Sequence, residues 1–332
     1  MSGLCVAVLG GGRSSEHEVS LASARSVRAG LQAAGHVPLE IEIGKDGVWR
    51  CEGDEVSLTP GRGLEGADVV FPVLHGPFGE DGTVQGLLEC LDVPYVGAGV
   101  LASALCMDKV MFKALMGWGG VPQVDYRELR VERFREARRD ALESLLALGL
   151  PVFVKPARLG SSVGIARVAE PEQLAGALEA AFEYDAVAVV EAAATGLEVE
   201  CSVIGNGDPV ASVPGEILLA TDEGWYDYEA KYTPGGMQLI VPARVAPHVR
   251  ERVRELAVKT FLATGCSGLA RVDFFVEGEN VLVNELNTMP GFTETSVFGS
   301  LFDASGIPYA ELLDRLVQLG LERHAAERRH HH

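Results

Sequence analysis

Several things are scarce in this 332-residue sequence, and each scarcity excludes something. No apolar run approaches the ~18–20 residues of a membrane-spanning helix. The six cysteines, at positions 5, 51, 90, 106, 201 and 266, include no C-x-x-C pair. Free thiols in a reducing cytosol are therefore expected, and the location is read as cytoplasmic. Positive charge is short: 28 basic residues face 47 acidic ones, for a net charge of -19. That balance argues against nucleic acid and anionic membranes as partners. Lysine is scarcest of all, six residues against 22 arginines. A compact ammonium suits close approach to a phosphate oxygen where a broad guanidinium does not fit. Each retained lysine is therefore a candidate with a purpose. The opening run Leu4–Leu9 lacks a basic flank and enters Gly10-Gly11-Gly12, so it reads as a strand and not a signal peptide. No internal repeat is visible. His330-His331-His332 is read as a remnant of an expression tag.

What is present is a long globular chain, 47% hydrophobic, with core enough for two or three domains. One stretch stands out. Residues 270–276 and 281–287 read as two strands joined by a turn at Gly278. Alternation puts Arg271 and Asp273 on one face of the first strand. It puts Glu285 and Asn287 on the face of the second opposite to Leu282 and Leu286. A three-residue loop or a bulge would set Asp273 across from Glu285 and Arg271 across from Asn287, with facing Cβ atoms ~5 Å apart. Both carboxylates could then hold one hard cation. A simple two-residue turn breaks that register, and taken alone the stretch reads first as an ordinary solvated hairpin with polar residues outward.

Along the rest of the chain the pattern alternates strand, glycine turn and helix. Strand 4–9, the turn 10–15 and a helix over 18–34 form a possible anion site at a helix N-terminus. A nicotinamide-cofactor fingerprint fits poorly, because Ser15 stands where its third glycine belongs. Glu16 and Glu18 at the helix start either complement its dipole or offer a carboxylate to a substrate ammonium. Strand 68–74 ends in His75-Gly76, at a strand's carboxyl end where open α/β sheets bind ligands. His75 by itself reads as a structural histidine. Helix 83–91 and strand 93–96 close a first unit. Then follow a helix from Met107 to Trp118, a helix over 132–149, strand 151–156, and a Gly/Ser hairpin at 158–165. That hairpin is a phosphate cover or a plain turn, and it is not a P-loop. Strand 186–191 ends at Glu191. Residues 198–204 and 210–217 read as strands, and helices span 246–264 and 308–321. Residues 225–236, aromatic and charged between Gly and Pro, suggest an ordered functional loop.

Taken together, these motifs resemble the D-alanine–D-alanine ligases of the ATP-grasp superfamily. The residues that carry the resemblance are Gly11–Ser20, His75-Gly76 with Gly79–Gly82, and Met107-Asp108-Lys109. To these add Val154-Lys155-Pro156 with Gly160–Gly164, Tyr226–Tyr232, Arg271-Val272-Asp273 and Asn284–Gly291. The resemblance implies an α/β (α+β overall) ATP-grasp fold. A parallel-sheet N-terminal domain (1–98) would precede a central (99–190) and a C-terminal (191–329) domain with mixed or antiparallel sheets. It implies ATP and two Mg²⁺ or Mn²⁺ ions as cofactors, two D-alanines as substrates, and a homodimer. Asp273, Glu285 and Asn287 would hold the metals. Lys109 and Lys155 would grip the α/β phosphates, Lys231 the γ-phosphate, and Ser161 and Ser162 would lie in the phosphate-covering loop. Glu191 and Glu198 would take the adenine amine and the ribose, with Trp225 beside the ring. Glu16 would bind the first D-alanine and form a closing triad with Ser161 and Tyr232. Arg271 and the backbone near Gly291 would stabilise the oxyanion. Ser296 would meet the second carboxylate, and His75 joins the substrate-binding set.

Two departures lie near ATP: Ala192 where many members carry lysine, and Leu159 where some carry an acid. A D-alanine–D-lactate (or D-serine) ligase shares nearly every motif, and Lys231-Tyr232 favours the amine nucleophile over lactate. A catalytically silent nucleotide-binding regulator is the rival from another class, and it would not need Arg271, Asp273, Glu285 and Asn287 together.

Overall fold

The computed structural model describes residues 3–160, 163–219, 236–293 and 296–329. The expected Ser161, Ser162, Trp225, Lys231 and Tyr232 lie outside the described residues. Three sheets build the molecule.

The first sheet starts with β1 (Cys5–Gly11), followed by α1 (His17–Ala33), β2 (Val37–Ile43), β3 (Trp49–Cys51), β4 (Asp54–Glu55), β5 (Val69–Pro72) and α2 (Thr83–Leu91). Its order is β4-β3-β2-β1-β5, with β2 and β5 both parallel to β1. Val6 and Val8 pack on one side, with α1; Ala7 and Leu9 pack on the other, with α2. Burial on both faces explains why β1 is apolar throughout rather than alternating. The expected strand 93–96 is only a bridge, Val70 to Tyr95. Pro94 has no N–H to donate, so the ladder there is limited to Val70 N to Pro94 O and Val96 N to Val70 O.

Two helices follow, α3 (Val100–Met107) and α4 (Lys109–Trp118). The sequence reading had missed the first. Asp108 separates them and caps the second, accepting from Val110 N and Met111 N. Both helices pack on the core of the third sheet, and Val110 of α4 also packs against Val187 and Val189 of the central one. The second sheet comprises β6 (Tyr126–Arg130), β7 (Val152–Pro156), β8 (Ala166–Val168) and β9 (Val187–Ala192), in the order β6-β9-β7-β8. It is antiparallel and is covered by α5 (Val131–Glu136), α6 (Arg138–Leu146) and α7 (Leu174–Phe182). The single helix expected over 132–149 is thus two, broken at Ala137, which has φ -140°. The run Arg135-Glu136-Ala137-Arg138-Arg139 offers no large apolar side chain to anchor the break. Strand β9 runs through the 190/191 limit drawn between the second and third domains.

The third sheet holds β10 (Leu197–Gly205), β11 (Val210–Ala211), β12 (Gly215–Leu219) and β13 (Met237–Ile240). After α8 (Pro247–Ala263) come β14 (Gly268–Glu277) and β15 (Asn280–Asn287). Its order is β13-β12-β10-β14-β15, with β11 on β10. The strand expected over 210–217 is two strands, interrupted at Pro214. The chain ends with α9 (Val297–Ala304) and α10 (Tyr309–Glu327), the latter longer than expected and packed back against α1 and β5.

The β14–β15 hairpin settles the register question. Its loop is two residues, Gly278 and Glu279, with Gly278 at φ +63°. A register shift between Asp273 and Phe274 leaves Asn284 as an extra residue on β15. That bulge puts Asp273 opposite Glu285 and Arg271 opposite Asn287. It also corrects the simple alternation: Leu282 pairs with Phe275 on the Glu285 face, while Val281, Val283 and Leu286 turn to the core.

Candidate active site

One cleft of about 140 Å³ gathers Glu16, His75, Lys109, Arg271, Glu285, Asn287, Gly291 and Ser296 from the first unit, helix α4, the third sheet and the segment after it. These are eight of the residues singled out in the sequence.

Glu16 opens α1 and is buried. The Ser14 hydroxyl accepts its N–H at 3.2 Å and donates to the His75 carbonyl at 2.7 Å, tying the first turn to the loop after β5. Gly76, at φ +72°, passes so close to the Glu16 carboxylate that a Cβ there would lie 2.7 Å from Oε2. His75 is buried and engaged at both ring nitrogens: Nδ1 with the Met289 carbonyl at 3.1 Å, Nε2 with Ser23 Oγ at 3.2 Å. Ser23 also accepts from Phe292 N at 3.3 Å. His75 and Ser23 therefore hold the 289–292 turn against the first sheet. That is the contact pattern of a structural histidine in the cleft wall. Glu80 Oε1 lies 3.6 Å from His75 Nδ1. Burial pushes the Glu80 carboxyl up to about 7, against the pull of His75. Burial opposes charge on His75, but Glu80 and Glu16 raise it above its ordinary value.

The hairpin supplies the polar floor. Arg271 donates to Asp273 through Nε and Nη2, both at 2.8 Å, and Asn287 Nδ2 lies 2.9 Å from Asp273 Oδ2. The neighbouring strand adds an acid the sequence reading overlooked: Glu200 pairs in register with Asp273, is buried, and lies 2.9 Å from Arg271 Nε. Its signal was present, since Glu200 shares a strand face with Glu198, two residues away. Asp273, Glu285 and Asn287 offer hard oxygen donors without thiol or imidazole, and the two acids face each other. That set fits Mg²⁺ or Mn²⁺. Among the described residues no group of three His, Cys, Asp or Glu is close enough to hold a metal; here the third donor is an amide. Gly291 and Ser296 adjoin: Ser296 Oγ accepts from Thr293 N at 2.8 Å, and a Cβ on Gly291 would sit 3.0 Å from it.

Charges expected on a nucleotide meet away from this floor. Lys109 Nζ donates to the Leu159 carbonyl at 2.5 Å, joining α4 to the loop before Gly160. Lys155 and Glu191 do not line the cleft; they pair with each other, Nζ to Oε2 at 2.6 Å. Lys113, to which the sequence reading assigned no role, lies 3.1 Å from Glu191 Oε1. It sits four residues after Lys109 on α4, on the same helix face. Burial works against ionisation of Glu191, but the two lysines hold it down at about 2. Burial also opposes charge on Lys155; Glu191, then Glu285 and Glu198, outweigh it and raise its pKa. Glu198 itself stands on β10 opposite Phe275.

Comparison with known proteins covers nearly the whole chain. A sequence model described as D-ala D-ala ligase C-terminus matches residues 115–318. A second, described as D-ala D-ala ligase N-terminus, matches residues 5–62 and 52–98. The D-alanine–D-alanine ligase of Deinococcus radiodurans is 47% identical, over 96% of this chain and 98% of its own. That of Halothermothrix orenii is 42% identical over 97% and 99%. The solved D-alanine–D-alanine ligase from Coxiella burnetii superposes with a TM-score of 0.89 at 35% identity, covering 99% of this chain and 97% of that one. The VanG D-Ala:D-Ser ligase from Enterococcus faecalis gives 0.86 at 35%, over 96% and 99%. These matches run through every sheet that contributes to the cleft, and the chain belongs to the D-alanine–D-alanine ligase family.

Proposed function

We propose that the protein joins two D-alanines at the expense of ATP, making D-alanyl-D-alanine for peptidoglycan precursors. The observation that supports this most directly is the single cleft in which Glu16, Arg271, Glu285, Asn287, Gly291 and Ser296 meet. The carboxylate of the first D-alanine attacks the γ-phosphorus, the bond to the ADP oxygen breaks, and a D-alanyl phosphate forms. The amine of the second D-alanine then attacks the acyl carbon, losing a proton, and phosphate leaves.

Glu16 suits the ammonium of the first substrate, a charge it can meet from a buried, fixed position. Arg271 faces the tetrahedral oxyanion, with backbone N–H near Gly291 as a second donor. Ser296 receives the second carboxylate. Lys109 and Lys155 serve the phosphates, and Glu191 and Glu198 the adenosine. Asp273, Glu285 and Asn287 would hold the divalent ions, whose contribution when bound is to neutralise phosphate charge. From outside the described residues, Lys231 is assigned to the γ-phosphate, Trp225 to the adenine, and Ser161, Ser162 and Tyr232 to closure. The reading carries with it a cytoplasmic homodimer and the domain limits 1–98, 99–190 and 191–329. Among the described residues no helix is long and apolar enough to cross a membrane.

The test measures phosphate and dipeptide together, with ATP, Mg²⁺ and defined substrates. D-alanine should support both at one phosphate per dipeptide, L-alanine neither, and Asp273→Asn should lose turnover while staying folded. The match to a D-Ala:D-Ser ligase makes D-serine the informative competitor. Preferential D-alanyl-D-serine or D-lactate ester formation would move the assignment within the family. Nucleotide binding without phosphate release would favour a silent regulator.

A further inference from the structure

Lys113 has no part in the roles above, yet its side chain is only 1% exposed. Its ammonium faces Glu191 Oε1 at 3.1 Å and lies 5.6 Å from the centre of the Tyr126 ring. Lys155 holds the other carboxylate oxygen at 2.6 Å. Tyr126 and Glu191 are register partners on β6 and β9, so helix α4 and the second sheet converge here. Two cations and one anion thus share a site from which water is largely excluded. The charged groups acting on it from other elements are Glu285 of β15 and Glu198 of β10.

The excess cation has a use. By the assignment above, Lys155 is the member of the cluster that a phosphate claims. Once claimed, it no longer neutralises Glu191. A buried carboxylate stripped of its partner is strongly disfavoured, so a cluster with one lysine would resist giving Lys155 up. Lys113 lies one helical turn beyond Lys109, too deeply buried to follow Lys155 to a ligand. We propose that Lys113 is a positioning residue of the nucleotide site: it keeps the Glu191 carboxylate ionised and aimed while Lys155 transfers to a phosphate. This rests on the assignment of Glu191 to the adenine amine.

The experiment compares wild type, Lys113→Met, Glu191→Gln and the double variant, all as full-length protein. Titration calorimetry measures binding of ADP and of an ADP analogue whose purine lacks the 6-amino group. Lys113→Met should weaken ADP about 10-fold or more and shrink the preference for ADP over the analogue, because Glu191 is no longer held. KM for ATP should rise more than kcat falls, with KM for D-alanine unchanged. The double variant should bind ADP no worse than Glu191→Gln alone, since without the carboxylate Lys113 has nothing to hold. Lys113→Gln, which keeps a donor, should recover part of the loss. Wild-type ADP binding and preference in Lys113→Met would overturn the inference, as would losses that simply multiply in the double variant. If Glu191→Gln itself keeps full preference for ADP, the adenine assignment fails first, and the inference with it. Should Lys113→Met not fold, Lys113→Gln carries the comparison. Failure of both to fold makes the residue a requirement of the fold and refutes the positioning role.

Discussion

At the scale of single residues, the site depends on charges held where water cannot reach them. Glu80 and His75 are an example with a measurable consequence. The Glu80 carboxyl, ordinarily near 4.5, is pushed up to about 7 in the folded chain by burial. Between those values the folded protein binds more protons than the unfolded, so stability falls as pH rises across that window and stays reduced above it. His75 acts in the same direction. Its raised value stabilises the fold fully below the ordinary histidine pKa, and that contribution is lost as pH rises through the folded value. Glu80→Gln keeps the shape and removes the buried charge. It should raise stability at pH 8 by ~1–3 kcal/mol relative to wild type and much less at pH 5. Denaturant titrations at the two pH values check this, and an equal effect at both would mean that Glu80 is not the titrating group.

At the scale of elements, helix α4 and the β14–β15 hairpin do most to place functional side chains. The helix begins where the Asp108 carboxylate accepts Val110 N at 3.0 Å and Met111 N at 3.1 Å. Those two bonds fix the first turn, and with it Lys109 at the cleft and Lys113 a turn deeper. Asp108→Ala should cost about 1 kcal/mol of stability. A frayed first turn should also raise KM for ATP several-fold, while KM for D-alanine stays within twofold. Urea titration and steady-state kinetics test the two parts separately; an unchanged KM for ATP would mean that bonds such as Lys109 N to the Ala157 carbonyl and Nζ to the Leu159 carbonyl position the residue without the cap. In the hairpin, the bulge at Asn284 has the comparable role, since it turns Glu285 outward to face Asp273 while Leu286 stays in the core.

At the scale of the whole molecule, the cleft exists because separate sheets are locked together. The last helix, α10, does much of the locking. Leu312, Leu313, Leu316 and Val317 share a core with Val6, Val8 and Val69 of the first sheet and with Leu269 of the third. Gly320 lets this helix lie against the backbone of Tyr95; a Cβ there would sit 2.8 Å from the Tyr95 carbonyl oxygen. Backbone cannot step aside as a flexible side chain can. Gly320→Ala should therefore destabilise by ~1–3 kcal/mol despite its gain in helix propensity. A melting temperature equal to or above wild type would show that α10 can shift at no cost.

The sequence by itself determined a good deal. Apolar β1, the alternation in β14, the helix bounds at Thr83–Leu91 and the order of the motifs all depend on neighbours along the chain, where period and turn chemistry act. The likeness to the family follows from those same local strings. The hairpin register was legible as a pair of alternatives, because the sequence could not choose between a plain turn and a turn with a bulge. Packing of Val281, Val283 and Leu286 chose. Proline positions were visible, but their effect at Pro94 and Pro214 depended on which N–H groups the sheets required. Only the tertiary structure could decide the electrostatics. Lys113, Lys155 and Glu191 come from a helix and two strands, and nothing local foretells that three charges will meet in one buried site. Glu200 becomes the partner of Arg271 only when β10 aligns with β14. His75 acquires its role only because Ser23 and Met289 reach it from distant parts of the chain. Burial and pairing of charge are properties of contacts between remote segments, and those contacts exist only once the sheets have closed around the cleft.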